Sequence, residues 1–124
     1  SEGVTASPDV RRGWLIKIEN WYAQQFFYLA DKLNKIPEGT GTLLDSTALV
    51  WVHEQSEGKS HSRKDMPFVI AGSCGGYLAT GRNLQLGGAS HQDLLVTLAN
   101  AMGVPTKTFG YADTCTGPMS QIIA

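Results

Sequence analysis

Cysteine is scarce in this chain, at two positions in 124 residues. Cys74 and Cys115 lie far apart and form no CxxC pair, which excludes a zinc knuckle. On the residues alone, two buried thiols and one disulfide tying the glycine-rich turn to the tail stand as equal readings. A surplus of one charge is lacking too. Ten basic residues face eleven acidic ones, for a formal net charge of −1. Nucleic-acid binding needs an excess of Lys and Arg to meet phosphate, so no nucleic-acid partner is expected. The one small basic cluster, Arg63-Lys64, runs at once into Asp65. Long hydrophobic runs are missing. The longest, Ala48 to Val52, has the length of a strand and not of a membrane span. No signal-peptide pattern, internal repeat or low-complexity tract is visible. The nucleophile elbow G-x-S-x-G, the P-loop and H-E-x-x-H are also absent. His53-Glu54 begins like the last of these, but position 57 is Glu, and Gly58 disfavours a helix.

What is there reads as one globular segment with a modest core, 42% hydrophobic and 17% charged. Ser7-Pro8-Asp9 is a helix start, with Ser to cap and Pro at the first helical position. Trp14, Ile18, Trp21, Phe26, Leu29 and Leu33 recur at helical spacing, which predicts a helix from Pro8 to Lys35 with these residues packed into a core. Pro37 and the glycines after it end the helix. Thr47 to Val52 lacks polar alternation and reads as a strand buried on both faces, as in a parallel sheet covered by helices. Residues 67–72, PFVIAG, read as a second such strand. The glycine-rich turn SCGG follows, and then a small hairpin turning near Thr80 to Asn83. Ser90 opens a last helix, with Asp93 three residues on as a weak capping box. Gly103 and Pro105 stop it, and the tail is expected to be irregular. The order predicts an α/β layer fold. Two or three strands make a poor sheet, so residues 1–124 read as a single segment, the C-terminal part of a larger α/β domain.

The stretch HEQSEGKSHSRKDMPF, residues 53–68, carries the chemistry that can be read. In open α/β sheets, ligands bind beyond the carboxyl ends of strands. His53 and Glu54 sit at such an end, and a short excursion can return His61 to Glu54. Imidazole and carboxylate suit Zn²⁺ or another divalent ion. Adjacent residues in extended backbone point to opposite faces, so His53 is at most an additional ligand. The competing reading is a polar surface loop. SCGG also reads as a phosphate nest or, with better reason, as a tight turn. Cys74 as a nucleophile is a third reading, weakened because no His base stands beside it.

The segments IENWYAQQFFYLADKLNKIPEGTGTLLDSTALVWVHE, SHSRKDMPFVIAG, TGRNL and HQDLLVTLANAMGVPTKTFG, in this order, resemble the C-terminal portion of a family of bacterial secreted proteins, domain-of-unknown-function family 1552. That family resembles the alkaline-phosphatase-like superfamily of metal-dependent hydrolases. The resemblance implies an α/β fold, a layered sheet with flanking helices plus a small hairpin, and a phosphate or sulfate ester as substrate. It sets Glu54 where the superfamily has a metal-binding Asp, and His61 where a later metal-binding His stands. Gln55 replaces a His and Ser56 a Gly, which puts a second metal in doubt. No residue corresponds to the superfamily's Ser or Thr nucleophile. Activity in this chain alone is therefore not expected. Arg82 in TGRN is a candidate anion contact beside the simpler, favoured reading of an exposed hairpin arginine. The resemblance further implies a periplasmic or extracellular setting, where both cysteines together favour a Cys74–Cys115 disulfide. The alternative is a secreted, non-catalytic structural or binding component that kept the fold. Both readings expect the rest of a larger chain, a partner subunit or self-association to cover the aromatic helix.

Overall fold

In a computed structural model, which describes residues 7–124, the first helix starts at the expected cap. The Ser7 hydroxyl accepts from the Val10 N–H at 3.4 Å, and Pro8 occupies the first turn. This helix, α1, spans Pro8–Asn34. Lys35 closes it, and the backbone then turns into two short strands, β1 (Pro37–Glu38) and β2 (Gly41–Thr42). They pair antiparallel around Gly39, whose φ of +58° suits glycine. The Asp45 carboxylate accepts from the Thr42 N–H at 2.7 Å and fixes the exit from β2.

The expected core packing of α1 is not found. No residue of α1 is buried, and Trp14 (54%), Trp21 (55%) and Phe27 (70%) are widely exposed. Phe26 and Leu33 are half-buried, as are the small Ala23 and Ala30 on the same helix. Length explains this. A 27-residue helix is about 40 Å long. The strands it could cover have four residues each, or about 13 Å. Helical periodicity identified the element, but the apolar positions along α1 exceed what this chain can cover.

Strands β3 (Leu49–Val52) and β4 (Phe68–Ala71) lie where the apolar runs put them, yet they pair antiparallel, from Leu49 with Ala71 to Val52 with Phe68. This corrects the expectation of strands buried on both faces in parallel manner. Leu49, Val50 and Trp51 are half-buried, and Val52 and Val69 are exposed. An unalternating apolar run suits a strand covered on both faces, yet no residue of β3 or β4 is buried here. Such a pattern does not say which way the neighbour runs. The fold is thus mixed α/β, with two small two-stranded antiparallel sheets among the described residues.

The best-buried region lies elsewhere. Helix α2 (His91–Ala101) is capped by Ser90, whose hydroxyl accepts from the Gln92 N–H at 3.2 Å. Asp93, Leu94, Val96 and Thr97 of α2 are buried, together with Leu78, Cys115 and Met119. The tail packs on α2 as irregular chain with two 3-10 turns, Ala112–Thr114 and Ser120–Ile122. No hairpin forms around residues 80–83. Leu78 instead bridges to Ile123, and the Ala79 N–H donates to the Ile122 carbonyl at 2.9 Å. The chain end competes for the backbone groups that a hairpin would have used.

Candidate functional site

Residues 53–67 leave β3 at Val52 and return at Phe68, which Val52 pairs with. A tighter arch sits inside this loop. Glu57 bridges Ser62, the Ser56 N–H donates to the Ser62 carbonyl at 2.9 Å, and the Ser62 N–H donates to the Glu57 carbonyl at 3.1 Å. The Ser60 hydroxyl donates to the Glu57 carboxylate and holds the tip. His61 takes a φ of +54° to close the arch, and Asp65 takes +53° on the way out. Left-handed backbone at a non-glycine residue costs about 1 kcal/mol, which the arch's hydrogen bonds offset.

The three proposed ligands end up in different circumstances. Glu54 and His61 are exposed, and neither side chain makes a hydrogen bond or ion pair among the described residues. His53 is half-buried and turned to α1, with Nε2 3.4 Å from the Glu19 carboxylate. Its ring lies 5.6 Å from Trp51, which in turn lies 5.9 Å from Phe26. His53 thus belongs to the contact between α1 and the β3–β4 pair. Tetrahedral zinc takes three or four donors. Among the described residues, no three His, Cys, Asp or Glu side chains gather at one point. Glu54 and His61 alone do not fit the metal site that the resemblance implies.

The other candidates have structural partners. The Arg82 guanidinium donates through Nε and Nη2 to the Ala79 carbonyl and through Nη2 to the Gln121 carbonyl, at 2.9–3.0 Å. It clamps the 79–82 turn to the tail. The glycine-rich turn has the left-handed residues of a nest, Cys74, Gly75 and Gly76, but their amides are engaged. Cys74 N–H donates to the Thr47 carbonyl, Gly75 N–H to the Asp45 carbonyl, and Gly76 N–H to the Ser73 hydroxyl. The turn reading therefore prevails over the phosphate nest. Gly72 anchors the turn at φ +86°. A β-carbon there would meet the Thr47 carbonyl oxygen at 2.2 Å and that of Leu44 at 2.5 Å. Both cysteines are free thiols. Cys74 Sγ is 3.4 Å from the Ala101 carbonyl and 3.5 Å from Met102 Sδ. Cys115 is buried beside Asp93.

Asp93 is the polar centre that sequence reading missed. It does not complete a capping box. Its carboxylate, only 4% exposed, accepts from the Thr116 N–H at 2.7 Å, the Thr116 hydroxyl at 2.6 Å and the Gly117 N–H at 3.3 Å. One turn on, the Thr97 hydroxyl accepts from the Met119 N–H at 2.7 Å and donates to the Asp93 carbonyl at 2.7 Å. The Thr116 hydroxyl, together with the tail amides and the Cys115 thiol, holds the Asp93 pKa below the usual 3.8, against the opposing effect of burial. The signal was available: Asp93 and Thr97 are four residues apart on the same face as Leu94, so they enter the core with it. Their role is to hold the tail on α2. Comparison of the chain with protein-family models, with curated proteins and with solved structures found no match.

Proposed function

We propose that this chain is a non-catalytic structural part of a larger α/β assembly, and that α1 is the element that joins it to the rest. The observation that carries this reading is α1 itself. Its apolar and aromatic residues are distributed around the helix, and none is buried. Charged residues such as Lys17, Glu19 and Asp31 lie among them, so the helix is mixed in character, but Trp14, Trp21 and Phe27 find no cover among the described residues. Exposed apolar surface on this scale marks an interaction site. The layered sheet that the resemblance implies would be completed in that assembly, in the exported setting that the resemblance also implies. Two features favour structure over chemistry in this chain. The proposed ligands do not converge with a third donor among the described residues. Arg82 and the amides of the glycine-rich turn are used to hold the fold.

A second reading rests on a different observation. Glu54 and His61 stand exposed in the β3–β4 loop, Glu54 near its start and His61 in the inner arch, without partners among the described residues. In that reading the assembly is a metal-dependent hydrolase of phosphate or sulfate esters, and groups from outside this chain complete the site. One experiment separates the two. The natively purified assembly is analysed for metal and assayed on phosphate and sulfate esters, before and after Glu54→Ala and His61→Ala. The structural reading expects metal content and turnover to be unchanged by either substitution. A stoichiometric divalent metal lost with either side chain, together with turnover, overturns it in favour of the hydrolase.

A further inference from the structure

Beside β4 runs a groove of about 1230 Å³, walled on its far side by residues 78–89 and floored in part by Leu94, Met119 and Ile122. Phe68, Val69 and Ile70 of β4 all line it, and no residue of β3 does. Consecutive strand residues point to opposite faces. A cavity lined by three in a row, but not by the neighbouring strand, therefore runs along the outer edge of β4 and not over a face of the sheet. That edge is unsatisfied. In an antiparallel pair, alternate residues turn their N–H and C=O groups away from the partner strand. Among the described residues, β4 makes no backbone hydrogen bond beyond those to β3. An open edge of this kind is a template for an added strand.

The rim says what kind of strand. Arg63, Lys64 and Arg82 line the groove against a single carboxylate, Asp65. Charged residues also serve to deter edge pairing. Here they precede β4 or face it across the groove, while Phe68, Val69 and Ile70 carry no charge. We propose that the groove accepts an extended segment of a partner protein with acidic residues at the end that lies beside the start of β4, added as a strand to the outer edge of β4, where Arg63 and Lys64 meet its carboxylates. This goes beyond the joining role of α1, because it names a separate surface and stands whether or not α1 is covered.

The test uses short blocked peptides of alternating valine and threonine, ended by glutamate at both sides, by lysine at both sides, or by glutamate with a central proline. Binding is followed by peptide anisotropy, and the site by amide hydrogen exchange of residues 68–71. The glutamate-ended peptide is expected to bind at least about ten-fold tighter than the lysine-ended one at low salt. It should also slow exchange in β4. The proline peptide, which lacks a central donor, should bind more weakly. The double variant Arg63→Glu with Lys64→Glu changes two exposed side chains and should reverse the preference for peptide charge. Equal binding of the two charge types, or no protection of residues 68–71 by the glutamate-ended peptide, overturns the proposal. So does a dimer in which β4 of a second copy already fills the edge. These readouts sit in β4 and do not depend on metal, turnover or α1.

Discussion

Replacing Asp93 by Asn tests whether the tail hangs on one buried carboxylate. The side chain accepts from the Thr116 N–H and hydroxyl and from the Gly117 N–H. An amide of the same shape keeps one acceptor oxygen and turns an N–H₂ group towards donors. Hydrogen bonds to a charged group contribute about 1.5–3 kcal/mol, and neutral ones about 0.5–1.5 kcal/mol. Losing the charge on the bonds that remain, and orphaning at least one buried donor, should cost about 2–4 kcal/mol. That is a large share of the roughly 5–15 kcal/mol that holds a typical domain together. Urea denaturation of wild type and Asp93→Asn measures the loss as a shift in midpoint. Hydrogen exchange at the Thr116, Gly117 and Met119 amides locates it. The pH dependence follows with a definite sign. A carboxyl held below its usual 3.8 contributes stability that is fully present above that value. The contribution is lost as pH falls from about 4 through the lowered folded value. The wild-type midpoint should therefore drop over that window, and the Asn variant should be flatter there. A loss under about 0.5 kcal/mol, with the tail amides still protected, would refute this account of Asp93.

Other substitutions give further checks. Thr97→Val removes the acceptor for the Met119 N–H and should cost about 1–3 kcal/mol in the same denaturation assay. Gly72→Ala puts a methyl group against two backbone carbonyls at a positive φ. It should destabilise by more than about 2 kcal/mol, or prevent folding, as circular dichroism would show. His53 and Glu19 are each partly exposed, so a double-mutant cycle between them should return a coupling under about 1 kcal/mol. Glu54→Ala and His61→Ala remove side chains that make no hydrogen bond among the described residues. Each should shift stability by less than about 0.5 kcal/mol.

The elements themselves were legible in the sequence. Ser7 and Pro8 marked the start of α1, Ser90 capped α2, and the two apolar runs became β3 and β4 within a residue or two. Their neighbours were less legible. The direction of β4 relative to β3 depends on how residues 53–67 fold back, and no local pattern encodes that. The expected hairpin at 80–83 failed because Leu78 and Ala79 pair with the chain end, a contact between residues more than forty apart. The loop lies beyond β3 as expected, and Glu54 and His61 are among its exposed residues. His53 was harder to read. Its partner Glu19 lies on α1, and a residue at a strand end looks the same in sequence whether it faces a ligand or a helix. Asp93 looked like a capping residue because spacing from Ser90 is a local signal, while its partners are beyond residue 114.

The central claim is that α1 is covered in the working protein. Sedimentation equilibrium of the natively purified protein, with intact mass on the same sample, tests it most directly. The account predicts a particle well above the 13.4 kDa of this chain, with Trp14 and Trp21 protected from acrylamide quenching. A stable, monodisperse particle of 13.4 kDa with both tryptophans open to the quencher would contradict it.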